Sequence, residues 1–364
     1  MQNVAHSIPT ESFFVANERI MAAICGGQLT TDHVLGVSAF HAPAKDSPTL
    51  VQSTRQLLSI DGSFVEAIDL EQGGAIVNRS FVDGSMAVKV TWRGAGVEVE
   101  DIYFIPPGFD AVIQRSRIRN ISDKPCRLKI YGILYPQLGS PVPHKKGICQ
   151  QGHYDADHGC VVIEDTKKNV LAFAFDAIPS EFQLGEVCGS SDVYYDLEDD
   201  ALSGNTAIQR VTPNAALALD AGLLPPNQEQ VVQLCLGYAS DTASALVLVD
   251  QFRRESNSLW LAHEDYSRSV LQRAEPAMPR AGHEFGSHLD EITRRAVLVL
   301  RSILRPDGAP MGGIHCYQNV GQVRNGSYIL SVLDQLGFHQ ETRGGYDFYL
   351  NYRVGDDRYS SPDE

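Results

Sequence analysis

The chain has 364 residues, 43% hydrophobic and 21% charged, a globular composition with enough length for two domains that each bury a core. Its formal charge of -15 argues against nucleic acid or an anionic membrane surface as a partner, because both would repel it, whereas a neutral substrate is easily accommodated. No run approaches the roughly 20 apolar residues of a membrane-spanning helix, and the opening "MQNVAHSIPTESFF" lacks the basic region and apolar run of a secretory signal.

The seven cysteines (Cys25, Cys126, Cys149, Cys160, Cys188, Cys235, Cys316) are scattered, with no CxxC pair. That disfavours a disulfide framework and a zinc knuckle, and it fits a reducing, cytoplasmic setting.

From about Ile20 to Ala239 the sequence consists of short alternating or β-branched runs separated by turn residues: "MAVKVTWRG", "VEVEDIYFI", "AVIQRSRIRNIS", "RLKIYGILY", "CVVIED", "VLAFAF" and "EQVVQLCLGYA". Strands at this spacing with no helices between them predict antiparallel sheets packed as a sandwich. In "IRNISDKPCRL" the turn formers Asn120, Ser122, Asp123 and Pro125 predict a hairpin connection, and Pro225 and Pro226 in "LPPNQEQVV" predict another.

At Thr242 the period changes. "TASALVLVDQFRR" and "SLWLAHEDYSRSVLQRA" carry apolar residues at helical spacing, with Leu259, His263, Tyr266 and Val270 near one face. A Pro/Gly-rich linker, "AEPAMPRAGHEFGS", precedes an amphipathic helix in "HLDEITRRAVLVLRSILR", a second in "NGSYILSVLDQLG" and a third in "HQETRGGYDFYLNY" interrupted by Gly344 and Gly345. The expected domains are a β domain with a closing helical segment over 1–272, a linker over 273–287 and a helical domain over 288–364. Three apolar helical faces do not close on themselves, so they need the sandwich, a further part of the protein or another chain as cover.

Five segments in order resemble the prokaryotic glucoamylase-type enzymes of glycoside hydrolase family 15 (the glucoamylase and glucodextranase type). "YFIPPGFDAVIQR" leads into "AVIQRSRIRNISDKPCRLKIY", which is similar to the family's strand, loop and strand around R-x-x-N-x-S-D-x-P. "DLEDDALSGNTAIQRV" resembles its D-x-E-D-G-x-L-S-G-N element, "RSILRPDGAPMGGI" its P-x-G-A-x-x-A helix end, and "GQVRNGSYILSVLDQLGF" its W-P-R-D-G-x-x-x-x-x-A-L-x-x-x-G-Y segment. The resemblance runs from about residue 15 to residue 350. It implies a β-rich multidomain chain, with an antiparallel β supersandwich followed by the first helices of an (α/α)6 barrel, incomplete here. It also implies action on α-glucosides with inversion, on a neutral oligosaccharide or α-glucan, with no cofactor.

In that family the last segment's Arg-Asp pair resembles a clamp on sugar hydroxyls, because a guanidinium donates in a fork and a carboxylate accepts. The matching substrate-binding residues are Arg324 and Asn325, with Gln322 beside them. Asn325 replaces the family's aspartate, Gln322 its tryptophan and Val323 its proline, so a charge and a stacking surface are lost. Asn325 also reads as a plain helix N-cap.

Hydrolysis with inversion needs two carboxyl groups about 6.5 to 9.5 Å apart. The family's acid and base glutamates come later than this segment, so none is expected here, and the alternative is a noncatalytic carbohydrate-binding or subunit-interaction protein. Glu198, Asp199 and Asp200, the tail pair Asp356 and Asp357, and Asp155 and Asp157 read as solvated loops. "GHYDADHG", with His153 and His158, has metal-ligand residue types but sits where a hairpin tip would, so no metal is expected. There is no phosphate loop, GxSxG elbow or HExxH motif, and His315 beside Cys316 reads as a buried cysteine with its neighbour.

Overall fold

The computed structural model describes residues 13–24, 36–45, 47–73, 75–138, 149–278, 286–311 and 323–351. Asp356, Asp357, His315, Cys316, Gln322 and the middle of the expected linker lie outside the described residues. The chain divides into two compact units, Met1–Asp265 and Tyr266–Glu364. Among the described residues no helix is long and apolar enough to cross a membrane. The five described cysteines are all free thiols.

The first unit opens with β1 (Phe13–Ala16), β2 (Met21–Ile24) and β3 (Val37–His41), which form a three-stranded sheet. There follow β4 (Val51–Ile60), β5 (Ser63–Val65), α1 (Ala67–Gln72), β6 (Val77–Phe81), β7 (Val88–Gly94), β8 (Val97–Phe104), β9 (Ala111–Asn120) and β10 (Cys126–Pro136). Then come β11 (Gln150–Asp155), β12 (Cys160–Asp165), β13 (Val170–Phe175), β14 (Glu181–Glu186), α2 (Val193–Asp196), β15 (Ala207–Arg210), β16 (Pro213–Leu224) and β17 (Glu229–Ala239). One sheet has the order β14-β16-β10-β4-β5 and the other β15-β11-β12-β13-β17-β9-β8-β7-β6, with every pairing antiparallel. Their facing side chains, among them Leu58, Ile130, Val99, Ile118, Phe173 and Leu234, form one dry core.

Alternation along β8 and β9 shows how the sequence builds this. Val97, Val99 and Tyr103 point inward with Val112 and Ile118. The outward set changes character along the strands: Ile102, Phe104, Ala111 and Ile113 are buried, whereas Glu100, Arg117 and Arg119 are open to water. The apolar half lies under α3 (Thr242–Ala274), whose Phe252, Leu259 and Trp260 pack on it. The two helical segments expected from sequence are one helix of 33 residues.

Two side chains lock α3 in place. Arg253 donates to the carbonyls of Phe175 (3.0 Å), Gly159 (3.0 Å) and His158. His263 is 1% exposed. Its Nδ1 donates to Ile105 O at 3.0 Å and its Nε2 accepts from the Ser85 hydroxyl at 2.9 Å. Burial pushes its pKa down to about 4, so the ring is neutral.

The two expected hairpins do not form. β9 and β10 belong to different sheets, as do β16 and β17, so both turns are corners that carry the chain across the sandwich. The turn residues are those of a hairpin, but β9 is already paired on both sides by β8 and β17. Asn120, fully buried, ties the corners together. Its Nδ2 donates to Lys124 O and Leu224 O, both at 2.8 Å, and its Oδ1 accepts from Ser122 N and Oγ. Its backbone bonds Gln228 O and Asn227 N.

A polar chain also crosses the core. Gln56 of β4 donates to Ser116 Oγ of β9 (2.8 Å), which donates to Asp101 Oδ1 of β8 (2.5 Å). Burial raises the Asp101 pKa to about 6, against hydrogen bonds from Ser116 and Gln114.

The second unit contains α4 (Gly286–Ser302), α5 (Val323–Gln335) and α6 (His339–Asn351). α6 is continuous through Gly344 and Gly345, contrary to the interruption expected from sequence. The glycines allow contact instead of breaking the helix: a Cβ on Gly345 would lie 2.4 Å from Leu330 Cδ2 of α5 and 2.8 Å from Gly308 O.

Two outcomes follow. Asn120→Ala removes the amide's bonds to Leu224 O and Lys124 O and the acceptor of Ser122 N, and should cost about 2 kcal/mol or more in urea unfolding. Asp101 and His263 act oppositely with pH. A native Asp101 pKa above the ordinary 3.8 lowers stability as pH rises from about 4 to about 6, whereas a native His263 pKa below the ordinary 6.5 lowers stability as pH falls from 6.5 towards 4. Asp101→Asn removes only the first effect. Its stability relative to wild type should improve by up to about 3 kcal/mol between pH 4 and pH 7, and its own stability should fall more steeply with acid.

Candidate functional site

The region around Arg324 and Asn325 is assembled within the second unit by three tight contacts. After α4 the chain makes a turn over Leu304–Pro310, closed by a backbone bridge between those residues and by Arg305 N to Ala309 O (3.0 Å). Gly308 has φ +83, and a Cβ there would meet the backbone of Gly344 and Gly345 at 2.5 Å. Only glycine fits this conformation and this approach.

Pro310, at the end of that turn, abuts the first turn of α5. A Cβ on Gly326 would lie 3.0 Å from Pro310 Cγ and 1.8 Å from the Tyr349 hydroxyl of α6. The glycine of the Arg-Asn-Gly tripeptide is therefore there for close packing, and it fixes the direction of the two residues before it.

Electrostatics complete the frame. Glu341 at the start of α6 receives both Arg273 terminal nitrogens, at 2.8 and 2.9 Å, and lies 3.7 Å from Arg301 of α4. Arg273 also donates to Gly337 O and sits over the Phe338 ring. Gly337, at φ +85, ends α5, with Phe338 N reaching back to Leu333 O at 2.9 Å, the Schellman arrangement.

On this frame Arg324 and Asn325 are the second and third residues of α5, both exposed. Arg324 thus presents a guanidinium to solvent from the first helical turn. Tyr328, one turn further along the same face, is 68% exposed. Sequence reading passed over this tyrosine. Its four-residue spacing from Arg324 is the available signal, and it presents an aromatic ring to solvent.

The other sequence candidates have structural partners. In the acidic loop Asp196 holds Ser203, Asp199 accepts from Ala201 N at 3.2 Å and Asp200 accepts from the Tyr131 hydroxyl at 2.8 Å. Val193, Leu197 and Leu202 of the same loop pack on Leu57, Tyr131 and Ile133, so the loop covers the outer face of the five-stranded sheet. In "GHYDADHG", a hairpin tip between β11 and β12, Asp155 accepts from His158 N at 2.9 Å and meets its ring Nδ1 at 2.9 Å. His158 Nε2 faces Asp250 of α3 at 3.6 Å. The Asp155 hydrogen bond, with Asp250 nearby, raises the His158 pKa. Among the described residues no three His, Cys, Asp or Glu side chains are grouped to hold a metal ion.

No protein-family model matches the sequence, and no curated protein matches it. Solved structures do. The chain is similar to a bacterial glucoamylase solved in complex with acarbose, at 11% identity and a TM-score of 0.67, over 93% of this chain and 50% of that one. It is also similar to a candidate kojibiose phosphorylase from the human microbiome, at 11% identity and a TM-score of 0.51, over 84% of this chain and 41% of that one. The chain therefore spans about half the length of the glucoamylase it matches, and the fold is glycoside-hydrolase-like.

Gly308→Ala should force the Leu304–Pro310 turn away from α6 and destabilise the second unit by about 2 kcal/mol or more, read as early loss of helical circular dichroism in urea.

Proposed function

We propose that the chain is a glucoamylase-type carbohydrate-binding protein, a supersandwich with the opening helices of an (α/α)6 barrel. In this reading the first turn of α5 receives the nonreducing end of an α-glucan. Arg324 donates to sugar hydroxyls, Asn325 gives one acceptor and one donor in place of a carboxylate, and Tyr328 offers its ring as a platform. The observation that carries the reading is the fold likeness to the acarbose-bound glucoamylase over 93% of the chain.

The cleavage step belongs to a complete enzyme of this type. Inversion needs one carboxylic acid at the leaving oxygen and one carboxylate behind a water on the opposite face of the ring. Asp196 and Asp199 are bound into their own loop, Asp200 is held by Tyr131 and Asp155 by His158, so none of these four supplies that pair. The chain alone binds without cleaving.

A second reading, a noncatalytic subunit-interaction protein, draws on the second unit's surface. Leu289, Ile292, Val323, Val332, Tyr346 and Leu350 are exposed on its three helices. Further helices or a partner chain would cover them.

The test is calorimetric titration with maltotriose alongside a glucose-release assay. Binding without release is expected, with Arg324→Ala weakening binding about tenfold or more. Glucose release by the chain, abolished in Arg324→Ala, would contradict the assignment of cleavage to residues outside it.

A further inference from the structure

A second polar cluster lies on the outer face of the five-stranded sheet, wholly within the first unit. It joins Arg55 of β4, Glu66 at the entry to α1, Tyr135 of β10 and Tyr194 of α2. The Arg55 guanidinium sits 5.8 Å from the Tyr135 ring centre and 5.9 Å from that of Tyr194. Glu66 is 5% exposed, and its Oε2 accepts from the Tyr194 hydroxyl at 3.1 Å and lies 4.0 Å from Arg55.

As a staple for α2 the cluster is incomplete. Among the described residues Arg55 Nε is buried with no hydrogen-bond partner. Among the described residues the Tyr135 hydroxyl and Glu66 Oε1 have no hydrogen-bond partner either, though neither atom is shut off from solvent as Arg55 Nε is. A buried polar group left unpaired costs about 1–3 kcal/mol, which applies to Arg55 Nε; the Tyr135 hydroxyl and Glu66 Oε1 beside it are open to solvent, so all three are available to one ligand.

The chemistry of the open groups selects that ligand. Arg55 and Tyr135 donate and Glu66 accepts, so the ligand both accepts and donates. Burial raises the Tyr135 pKa and keeps its hydroxyl protonated, and burial also raises that of Glu66, against Arg55 and Tyr194. Asp69 and Asp192 add negative field to a chain already at -15, which disfavours an anion. Tyr194 and Tyr195, 40% and 60% exposed, provide flat apolar surface beside the cluster.

We infer that Arg55, Glu66, Tyr135 and Tyr194 form a second carbohydrate subsite, which takes one neutral sugar residue through a pair of adjacent hydroxyls. The choice of an α-glucan as probe rests on the proposed function; the placement of the site does not.

The experiment is calorimetric titration of the full chain with maltotriose in the Arg324→Ala background, where the α5 site is disabled. Binding should persist there. Adding Tyr135→Phe, which removes a hydroxyl with no partner to lose, should weaken it about fivefold to tenfold at an unchanged melting temperature. Adding Glu66→Gln should weaken it likewise.

Loss of all binding in Arg324→Ala alone would overturn this subsite and leave the α5 reading standing. Residual binding that ignores both Tyr135→Phe and Glu66→Gln would also overturn it. Binding unaffected by Arg324→Ala but weakened by Tyr135→Phe would support this subsite while contradicting the α5 reading, and no maltotriose binding by wild type would contradict both.

Discussion

A sandwich of two antiparallel sheets holds together only if the chain can pass from one sheet to the other, and here both turns at the Asn120 end do so. The Asn120 side chain uses both amide hydrogens and accepts twice, while its backbone bonds the neighbouring corner. Backbone groups at both crossings are thereby paired by one side chain. The register of β9 against β17, and so the position of every outward side chain on the larger sheet, follows from that closure.

Each sheet then has an outer face to cover. On the nine-stranded sheet α3 takes the apolar half and Arg253 and His263 pin it, which leaves a charged strip where Arg117 pairs with Glu100 at 3.0 Å. On the five-stranded sheet the cover is the short acidic loop with Val193, Leu197 and Leu202. That loop seals the middle of the face, and the Arg55 cluster lies at its margin. In the second unit the same economy appears in glycines: Gly308, Gly326 and Gly345 give up side chains so that a turn and two helices can meet closely enough to aim the first turn of α5.

Much of this was legible in the sequence. Strict alternation in "VEVEDIYFI" and β-branched runs such as "VLAFAF" mark strands because one or both faces are buried, and the shift of period at Thr242 marks the start of α3. Turn chemistry is local, however, and does not say whether the next strand pairs with the last one or leaves for another sheet. "IRNISDKPCRL" therefore reads as a hairpin although it is a corner. Gly344 and Gly345 misled for a related reason, since the demand for glycine comes from Gly308 and Leu330, which are distant in sequence. The Arg55 cluster was invisible because residues 55, 66, 135 and 194 meet only after β4 and β10 pair and α2 folds over them. Arg324 and Asn325 were visible through a resemblance, whereas Tyr328 needed the helix to be seen as a face.

The proposed function comes down to sugar held at the first turn of α5. The most direct measurement is an experimental structure of the intact chain with maltotriose bound. The account predicts a glucose unit against the first turn of α5, in contact with Arg324, Asn325 and the Tyr328 ring. Bound maltotriose that leaves all three residues untouched would contradict it.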